Sequence, residues 1–329
     1  MYMTQQPLIS ICIPAYKNEV YLKRLLESIL IQTFQDFEVI VSDDSPDTLL
    51  ADIISLFNNH FKIHYVRNER PLGSPANWNH AIRLAKGKWI KIMHDDDWFT
   101  DESSLEQYAK IALETKADFI FSGFYEVELN SGKKKSSVIS IQHLYNLRKN
   151  PLYLFRTNYI GHPSTTLIRN IDHDWFDEQI KWVVDFEFYI RFLRSGIAPE
   201  VIRKPLVCIG VGEEQITKAV FRNPKVEIPE NIYLLNKLGV TACRNIYVYD
   251  YYWRLIRNLG IREEKELRAH LHNAKELPKV IISMIRAQRW FSLSLLKIGL
   301  FSKSWMFLNW LLYNLSFIFL ISATDKKEL

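Results

Sequence analysis

The sequence contains few cysteines, and it lacks the spacings of metal-binding or disulfide-bonded cysteine sites. Cys12, Cys208 and Cys243 are isolated from one another among 329 residues, and no CxxC pair occurs. Zinc and disulfide frameworks are therefore disfavoured, and free thiols fit a reducing compartment. The first apolar run, 8–14, is short and no Lys or Arg precedes it. We interpret it as the first strand of the fold and not as a secretory signal.

The signatures of several enzyme classes are also missing. The chain has no HExxH, GxSxG or phosphate-loop pattern, and Gly210–Gly212 does not continue into a GxGxxG motif. The net charge is only +5 and no long basic block occurs, so nucleic acid is not the expected partner. A negatively charged membrane surface remains compatible with this charge. With 48% hydrophobic residues, the chain can form one large domain with an appendage, or two domains.

The most informative feature is a run of three carboxylates, Asp95–Asp97, directly after the apolar run Trp89–Met93. An apolar run of this kind is typical of a buried parallel strand. Ligands of open α/β sheets bind at the carboxyl ends of the strands. Adjacent carboxylates repel one another unless a cation neutralises them, and hard divalent cations take oxygen ligands and bridge to phosphate. The run therefore predicts an enzyme that handles a metal-bound phosphorylated substrate.

Strand and helix signals alternate along the first part of the chain. We predict strands at 8–13, 37–41, 62–66 and 89–93, a helix capped by Asn18, and a helix opened by Ser74 as cap and Pro75 in its first turn. This alternation favours a mostly parallel, mixed α/β sheet with helices on both faces. Asp43 and Asp44 would then lie at the same sheet edge as the acidic run. We predict a catalytic domain over 1–225 and a helical region over 226–329.

The C-terminal region contains a long uncharged segment, 304–324. Its length is close to the ~20 residues that cross a bilayer, and Arg286, Arg289, Lys297 and Lys303 precede it. We expect a membrane-associating segment around 290–324 that either spans the bilayer or lies in its plane. The flanking cations favour the cytoplasmic side of the cell membrane. The alternative is a helical subdomain that packs on the catalytic domain or on a second copy, which would form an oligomer.

The motifs together resemble those of family 2 glycosyltransferases of the bacterial surface-polysaccharide type. The resemblance covers 8–212 and depends on four segments in order: Pro14–Glu19, Val41–Asp47, Gly73–Asn79 with Gly87–Ile90, and His94–Trp98. It implies the GT-A fold, an inverting reaction, and Mg²⁺ or Mn²⁺ as cofactor. It also implies a nucleotide-diphospho-sugar donor and a glycan or lipid-linked acceptor in cell-surface polysaccharide biosynthesis.

The resemblance also implies roles for single residues. In the family's Asp-x-Asp pattern, aligned on Trp98, His94 takes the first Asp position, Asp96 the second and Asp97 the following acid. The metal ligands would be Asp96 and Asp97, with Asp95 orienting the donor. Asp44 would hold the nucleotide base, and a carboxylate there favours UDP or dTDP because it can accept from a ring N–H. The remaining nucleotide-sugar contacts would come from Pro14, Ala15, Tyr16, Glu19, Asp43, Arg67, Asn77 and, beside the metal, Asp96.

The general base of an inverting transfer is implied in the stretch 182–191. Asp185 would stand at the start of a helix whose buried stripe is Phe186, Tyr189, Ile190 and Leu193, and Val184 replaces the acidic residue usual there. Glu187 is the second candidate base and is otherwise expected on the helix surface. His162 is expected on the acceptor side, and Gly210–Gln215 is expected to form a loop near the cleft.

Two other functions remain open from the sequence. A non-catalytic nucleotide-sugar-binding subunit would keep Asp44 and the acidic run but lack a working base, and Val184 leaves room for that reading. A nucleotidyltransferase shares the α/β layout and paired acids, but it would normally have a Gly-rich phosphate loop after the first strand. Pro14–Tyr16 is a poor substitute for such a loop.

Overall fold

The computed structural model describes residues 6–171, 174–196, 198–212, 221–271 and 277–325, and for 316–325 it describes only the backbone. The chain divides into two compact units. The first comprises Met1–Pro151 and Asn158–Gln215, and the second comprises Leu152–Thr157 and Ile216–Leu329. The predicted boundary at 225/226 stays a prediction beside this division, because 213–220 lie outside the described residues.

The described residues of the first unit form nine strands in one mixed sheet. Their bounds are β1 Ile9–Ala15, β2 Phe37–Asp43, β3 Ile63–Arg67, β4 Trp89–Ile92, β5 Trp98–Phe99, β6 Phe119–Glu128, β7 Lys134–Ser137, β8 Thr166–Arg169 and β9 Glu200–Val211. The spatial order is β3-β2-β1-β4-β8-β6-β9-β5, and β7 pairs with β6. β1, β2, β3 and β4 run parallel, while β8 is antiparallel to both β4 and β6. The predicted mixed sheet is confirmed.

The helices of the first unit follow the strand ends closely. They are α1 Glu19–Leu30, α2 Leu49–Ser55, α3 Ala76–Arg83, α4 Ser104–Glu114, α5 Ile141–Lys149 and α6 Val184–Arg194, with a 3-10 turn at Pro163–Thr165. The predicted cap of α1 is confirmed, because the Asn18 side chain accepts from the backbone N–H of Tyr21. Leu22, Leu25 and Leu26 of this helix are fully buried. They pack in one core with Ile9, Ile11 and Ile13 of β1. Each buried Leu stabilises the fold by about 1.5–3 kcal/mol.

The start of α3 differs from the prediction. Pro75 and not Ser74 is the N-cap, and no side chain caps this helix. Its first turn is instead connected to the neighbouring strand ends, because Asn77 is buried and hydrogen-bonds to Ser42. The same polar side chain that weakens the local helix signal thus fixes the helix against the sheet.

The second unit is helical. Its helices are α7 Pro224–Leu238, α8 Ile246–Leu259, α9 Glu264–Arg268, α10 Lys279–Arg289, α11 Leu293–Leu296 and α12 Gly299–Asp325, with 3-10 turns at Pro151–Phe155 and Val240–Arg244. Within the described part of the chain, no helix is both long and apolar enough to cross a bilayer. The last part of the predicted membrane segment, 316–324, has its side chains outside the described residues.

Candidate active site

The acidic segments meet at one edge of the sheet, as predicted. β1 and β2 pair in parallel with Ala15 opposite Asp43, and β3 places Arg67 opposite Asp43. Beyond β4, Met93 donates its N–H to the carbonyl of Cys12 in β1. Because parallel strands end at the same edge, the residues that follow β1, β2 and β4 lie side by side. A backbone hydrogen bond of 3.0 Å from Tyr16 to the Asp95 carboxylate joins two of these segments directly.

The carboxylates after β2 are buried and fully used by the protein. Asp43 accepts from the backbone N–H of Ser45 at 2.7 Å and from the Tyr65 hydroxyl at 2.7 Å. Asp44 accepts from the Asn68 amide at 2.6 Å. It also accepts from the backbone N–H groups of residues 72 and 73 at 3.1 and 2.8 Å. Asp44 therefore fixes the 68–73 loop to the end of β2.

Two more of the residues expected at the nucleotide make contacts within the protein. Asn77 accepts from the Ser42 hydroxyl at 2.6 Å and donates to the Ser42 carbonyl at 2.9 Å. It is buried, so its polar atoms belong to the framework behind the strand ends. Arg67 is exposed and donates to the Asp47 carbonyl at 3.0 Å. That contact leaves most of the guanidinium facing solvent beside Asp43 and Asp44.

The end of β1 provides the exposed rim of the site. Pro14 and Ala15 are buried, whereas the Tyr16 ring is 51% exposed. The backbone of Lys17 has φ 61°, a left-handed conformation, and its N–H donates to the Ser45 hydroxyl at 2.7 Å. This turn points the Tyr16 ring outward. Glu19 begins α1 and is partly buried, where its charge favours the helix N-terminus.

In the acidic run after β4, Asp97 is less completely hydrogen-bonded than Asp43 and Asp44. Burial, and next the charge of Asp96, raise the pKa of Asp95 to about 7. The same two causes raise the pKa of Asp97 well above its usual value. Asp97 is almost fully buried and accepts a long bond, 3.3 Å, from the backbone N–H of Gly210, and hydrogen bonding to the Ser164 hydroxyl opposes the rise in its pKa. Its second carboxylate oxygen, Oδ2, is buried without a hydrogen-bond partner.

His94 completes the cluster. The sequence alone assigns no role to this residue. One ligand atom from each of His94, Asp96 and Asp97 lies within 4.8 Å of the others. Burial lowers the pKa of His94 to about 4, so its imidazole is neutral and carries a free lone pair. His94 Nε2 is buried without a partner, and the ring packs against Trp78 with centroids 4.6 Å apart. The imidazole of His94 and the carboxylates of Asp96 and Asp97 form a ligand set that fits a divalent cation. The imidazole suits Mn²⁺ better than Mg²⁺.

Lys91 and Arg24, for which the sequence alone predicts no role in the site, lie beside the acidic run together with Gly210. The buried ammonium of Lys91 donates to the Ser164 carbonyl, and burial lowers its pKa to about 7. Arg24 donates to the Asp96 carbonyl at 2.7 Å and lies over the Trp98 ring at 3.8 Å. Gly210 lies so close that a Cβ there would meet the Asp96 carbonyl at 2.5 Å. The signal in the sequence that indicates such a residue is Lys91, a lysine inside an apolar strand.

Asp185 is a carboxyl group outside the acidic run whose pKa is also raised. It lies in the first turn of α6, and burial raises its pKa to about 6. Its Oδ2 accepts from the Asn158 amide at 2.8 Å, and Asn158 also donates to the Gly161 carbonyl at 3.0 Å. The segment from Asn158 continues to Ser164, whose hydroxyl accepts from the backbone N–H of His94 at 3.0 Å. The segment 158–164 therefore contacts both Asp185 and His94.

The expected surroundings of Asp185 need two corrections. Glu187 is buried and not on the surface, and it forms an ion pair with Arg191 at 2.7 Å. Phe186 is only partly buried, and Phe188 takes its place in the core. The reason is the helix phase: the apolar side of α6 is wide, and Arg191 one turn later supplies the charge that lets Glu187 lie inside it.

The remaining predicted elements have mixed placements. His162 is exposed and contacts the Phe124 ring edge-on at 6.2 Å. Gly161 beside it has φ 94°, and a Cβ there would meet the Phe124 ring at 2.6 Å, so only glycine fits the turn. Gly210 and Gly212 lie at the end of β9, next to the acidic run, and the rest of the expected loop, 213–220, lies outside the described residues.

The fold is similar to that of solved glycosyltransferases. TarS of S. aureus in complex with UDP-GlcNAc has a TM-score of 0.60 at 18% identity, over 86% of this chain and 90% of that chain. Mannosyltransferase PcManGT from Pyrobaculum calidifontis, in complex with GDP-Man and Mn²⁺, has a TM-score of 0.54 at 13% identity. It covers 95% of this chain and 88% of that one. At these identities the likeness establishes the fold, which is GT-A.

The sequence comparisons establish the family. Escherichia coli K12 WcaA, named as a colanic acid biosynthesis glycosyl transferase, is 27% identical over 222 residues, 66% of this chain and 78% of that protein. The model of glycosyl transferase family 2 matches residues 10–175, about half of the chain. That match contains both acidic segments, and Asp185 lies beyond it. The chain therefore belongs to glycosyl transferase family 2 and is a glycosyltransferase enzyme.

Proposed function

We propose that the chain transfers one sugar, with inversion, from a nucleotide-diphospho-sugar to a hydroxyl group of a glycan or lipid-linked acceptor in surface-polysaccharide biosynthesis. The observation that carries the proposal is the incomplete cluster of His94, Asp96 and Asp97 at the end of β4. Buried ligand atoms without partners cost free energy, and a divalent cation with its diphosphate would satisfy them. The relation to WcaA supports the pathway class.

Metal binding would join the donor to the acidic run. Asp96 and Asp97 would hold the ion through oxygen, and His94 would hold it through Nε2 or Nδ1. When bound, a divalent cation neutralises the charge that develops on the leaving diphosphate. The fold neighbour that holds GDP-Man with Mn²⁺ supports this arrangement. Arg24 and Lys91 add positive charge beside the same carboxylates.

Asp185 is the proposed general base. Its carboxylate would take the proton from the acceptor hydroxyl while the hydroxyl oxygen attacks the anomeric carbon opposite the leaving diphosphate. The attack forms the new glycosidic bond and breaks the bond to the diphosphate, which inverts the configuration. A pKa of about 6 suits this role, because the group is ionised at neutral pH yet still basic enough to accept a proton. Asn158 would orient the carboxylate.

The donor nucleotide is proposed to be UDP or dTDP. Its base would lie against Tyr16 and the Asp44 segment, whose carboxylate already orders the 68–73 loop. The fold neighbours hold UDP-GlcNAc and GDP-Man, so the fold itself accepts both pyrimidine and purine nucleotides. The selection for one base would therefore depend on the residues around Asp44 and not on the architecture.

A thermal-shift screen tests the donor and the metal together. We expect one class among UDP-, GDP- and dTDP-sugars to raise the unfolding temperature only when Mn²⁺ is present. The shift should disappear in Asp96→Asn and persist in Asp52→Asn, an exposed control. Stabilisation without metal would contradict the proposed cluster.

A transfer assay tests the base. Asp185→Asn should lower kcat by about 10²–10⁴-fold while leaving the donor-induced shift in unfolding temperature intact. Asp174→Asn, at an exposed acid of the same unit, is the matched control. Donor binding without turnover by the unaltered protein, over a broad acceptor screen, would favour a non-catalytic binding subunit instead.

The proposed location is the cytoplasmic side of the cell membrane, where lipid-linked acceptors are accessible. The support is the combination of the uncharged segment that begins at 304 with the basic residues before it.

A further inference from the structure

Helix α12 presents a row of aliphatic and aromatic side chains to solvent, while Met306 and the hydrogen-bonding Trp and Tyr side chains face the rest of the second unit. The outward side chains, here called the outer face, are Phe307, Leu308, Leu311, Leu312 and Leu315, and between 38% and 57% of each is exposed. Their spacing follows the helical repeat, so they form one continuous ridge. An ordinary amphipathic helix of a globular domain has the opposite arrangement.

The inward side of α12 is fixed by hydrogen bonds. Trp305 donates its indole N–H to the Ala287 carbonyl at 3.0 Å. Trp310 donates to the Arg244 carbonyl at 3.0 Å, and the Tyr313 hydroxyl donates to the Val240 carbonyl at 3.2 Å. These bonds come from one side of the helix over three turns. Rotating the helix to bury the outer face would break them, so the apolar exposure is built into the packing.

The charged side chains of the segment that carries the outer face have one sign, although Arg289 pairs with Glu263 of the same unit at 3.8 Å. From 277 to 324 the sequence holds five Lys or Arg residues and no Asp or Glu. Lys303 is exposed one turn before Phe307 and lies on the same side of the helix. Lys297 is also exposed, and Trp290, at 81% exposure, follows directly after Arg289. Apolar residues with Lys and Trp at their border match the composition of helices that lie in a membrane interface.

We infer that the outer face docks the chain on an anionic lipid surface, with α12 in the plane of the interface. This inference rests on the proposed membrane location and not on the proposed reaction. A second copy of the chain is a poorer occupant. A symmetric pair would cover the leucines, but Lys297 and Lys303 of each copy would meet no acid in the same segment of the other copy. Anionic headgroups supply the missing charge, and acyl chains cover the leucines.

Vesicle sedimentation with the full chain tests the inference. We expect binding to phosphatidylcholine vesicles that contain phosphatidylglycerol to be at least about tenfold tighter than to phosphatidylcholine alone. Leu308→Gln/Leu312→Gln should weaken binding about tenfold or more. The control Leu56→Gln/Leu113→Gln, at similarly exposed leucines of the first unit, should bind like the unaltered protein.

A charge-reversal pair separates the two contributions. Lys297→Glu/Lys303→Glu should weaken binding to the anionic vesicles about tenfold and leave weak binding to neutral vesicles unchanged, whereas Lys62→Glu/Lys110→Glu should change neither. Equal binding to both vesicle types, or full binding by the outer-face variant, would overturn the inference. So would a dimer in size-exclusion chromatography with light scattering that the outer-face variant loses.

Transfer to a soluble acceptor, measured on the same variants, keeps the two proposals apart. The outer-face and lysine variants should retain it, because these residues lie outside the catalytic unit. Vesicle binding without any transfer would defeat the proposed reaction alone, and transfer without vesicle binding would defeat the docking surface alone.

Discussion

The acidic segments after β2 and after β4 lie at the same sheet edge but differ in how their carboxylates are satisfied. Asp43 and Asp44 together accept five hydrogen bonds from neighbouring groups. Asp97, by contrast, has one buried oxygen, Oδ2, without a hydrogen-bond partner. The neighbouring His94 has a buried ring nitrogen, Nε2, that also lacks one. The difference indicates that the Asp43 and Asp44 carboxylates stabilise the loops around the proposed nucleotide-base site, while His94 and Asp97 of the second segment have ligand atoms that a bound cation would satisfy.

The largest expected effect concerns Asp96. Asp96→Asn should lower kcat/KM by about 10²–10³-fold, because it removes charge that would hold the donor's metal. The free energy of unfolding should not fall in parallel, because the substitution also removes the repulsion between Asp96 and the carboxylates of Asp95 and Asp97. Steady-state transfer rates and urea unfolding measure the two quantities. If the lower rate came with a comparable loss in the free energy of unfolding, Asp96 would be a structural residue like Asp44, and the two segments would not differ in role.

Asp44→Asn should have the opposite profile in stability. The amide has one acceptor oxygen for three donors, so at least one buried donor loses its partner, and the free energy of unfolding should fall by about 1–3 kcal/mol. Urea denaturation provides the measurement, and Asp52→Asn is the control. Unchanged stability would show that the 68–73 loop does not depend on this carboxylate.

Asp97→Asn sharpens the contrast further. In metal-free buffer with chelator, the free energy of unfolding should rise by about 1 kcal/mol, because a buried and underpaired charge is replaced by a neutral group. The same variant should lose the Mn²⁺-dependent thermal shift. Destabilisation in chelator would mean that Asp97 is structural, like Asp44.

The smallest effect is a shift in a pH profile. If Asp185 is the base, kcat/KM should rise with pH through about 6 and level off above, since only the ionised carboxylate accepts a proton. Asn158→Ala removes a hydrogen bond that favours the ionised form, so this limb should move to higher pH. An acidic limb that stays in place would show that Asn158 does not position the base.

The pH dependence of stability offers an independent check on Asp185. Burial raises its pKa above the usual 3.8, so the folded protein favours the protonated form, and stability should fall as the pH rises from about 4 to about 6. Asp185→Asn lacks this loss, and its stability advantage over the unaltered protein should grow across the same range.

The strand ends and their acids could be predicted because they depend on short patterns. β4 is a mostly apolar strand that leads into the acidic residues. β1 and β2 are also mostly apolar until the last residues of each strand. Glu187 and Phe186 could not be placed correctly, because the helix phase depends on which side meets the core. Arg191 compensates Glu187 only once that phase is set.

The sequence by itself determined the order of the first four strands and the helices between them, the two acidic segments and the edge at which they meet, because parallel strands with short connections leave little choice of direction. Only the tertiary structure decided which acids are satisfied and which are not. That outcome depends on partners distant along the chain: Asn68 for Asp44, Gly210 for Asp97 and Asn158 for Asp185. It also decided the orientation of α12, because an apolar helix has no preferred side until Trp305 and Trp310 find carbonyls to bind.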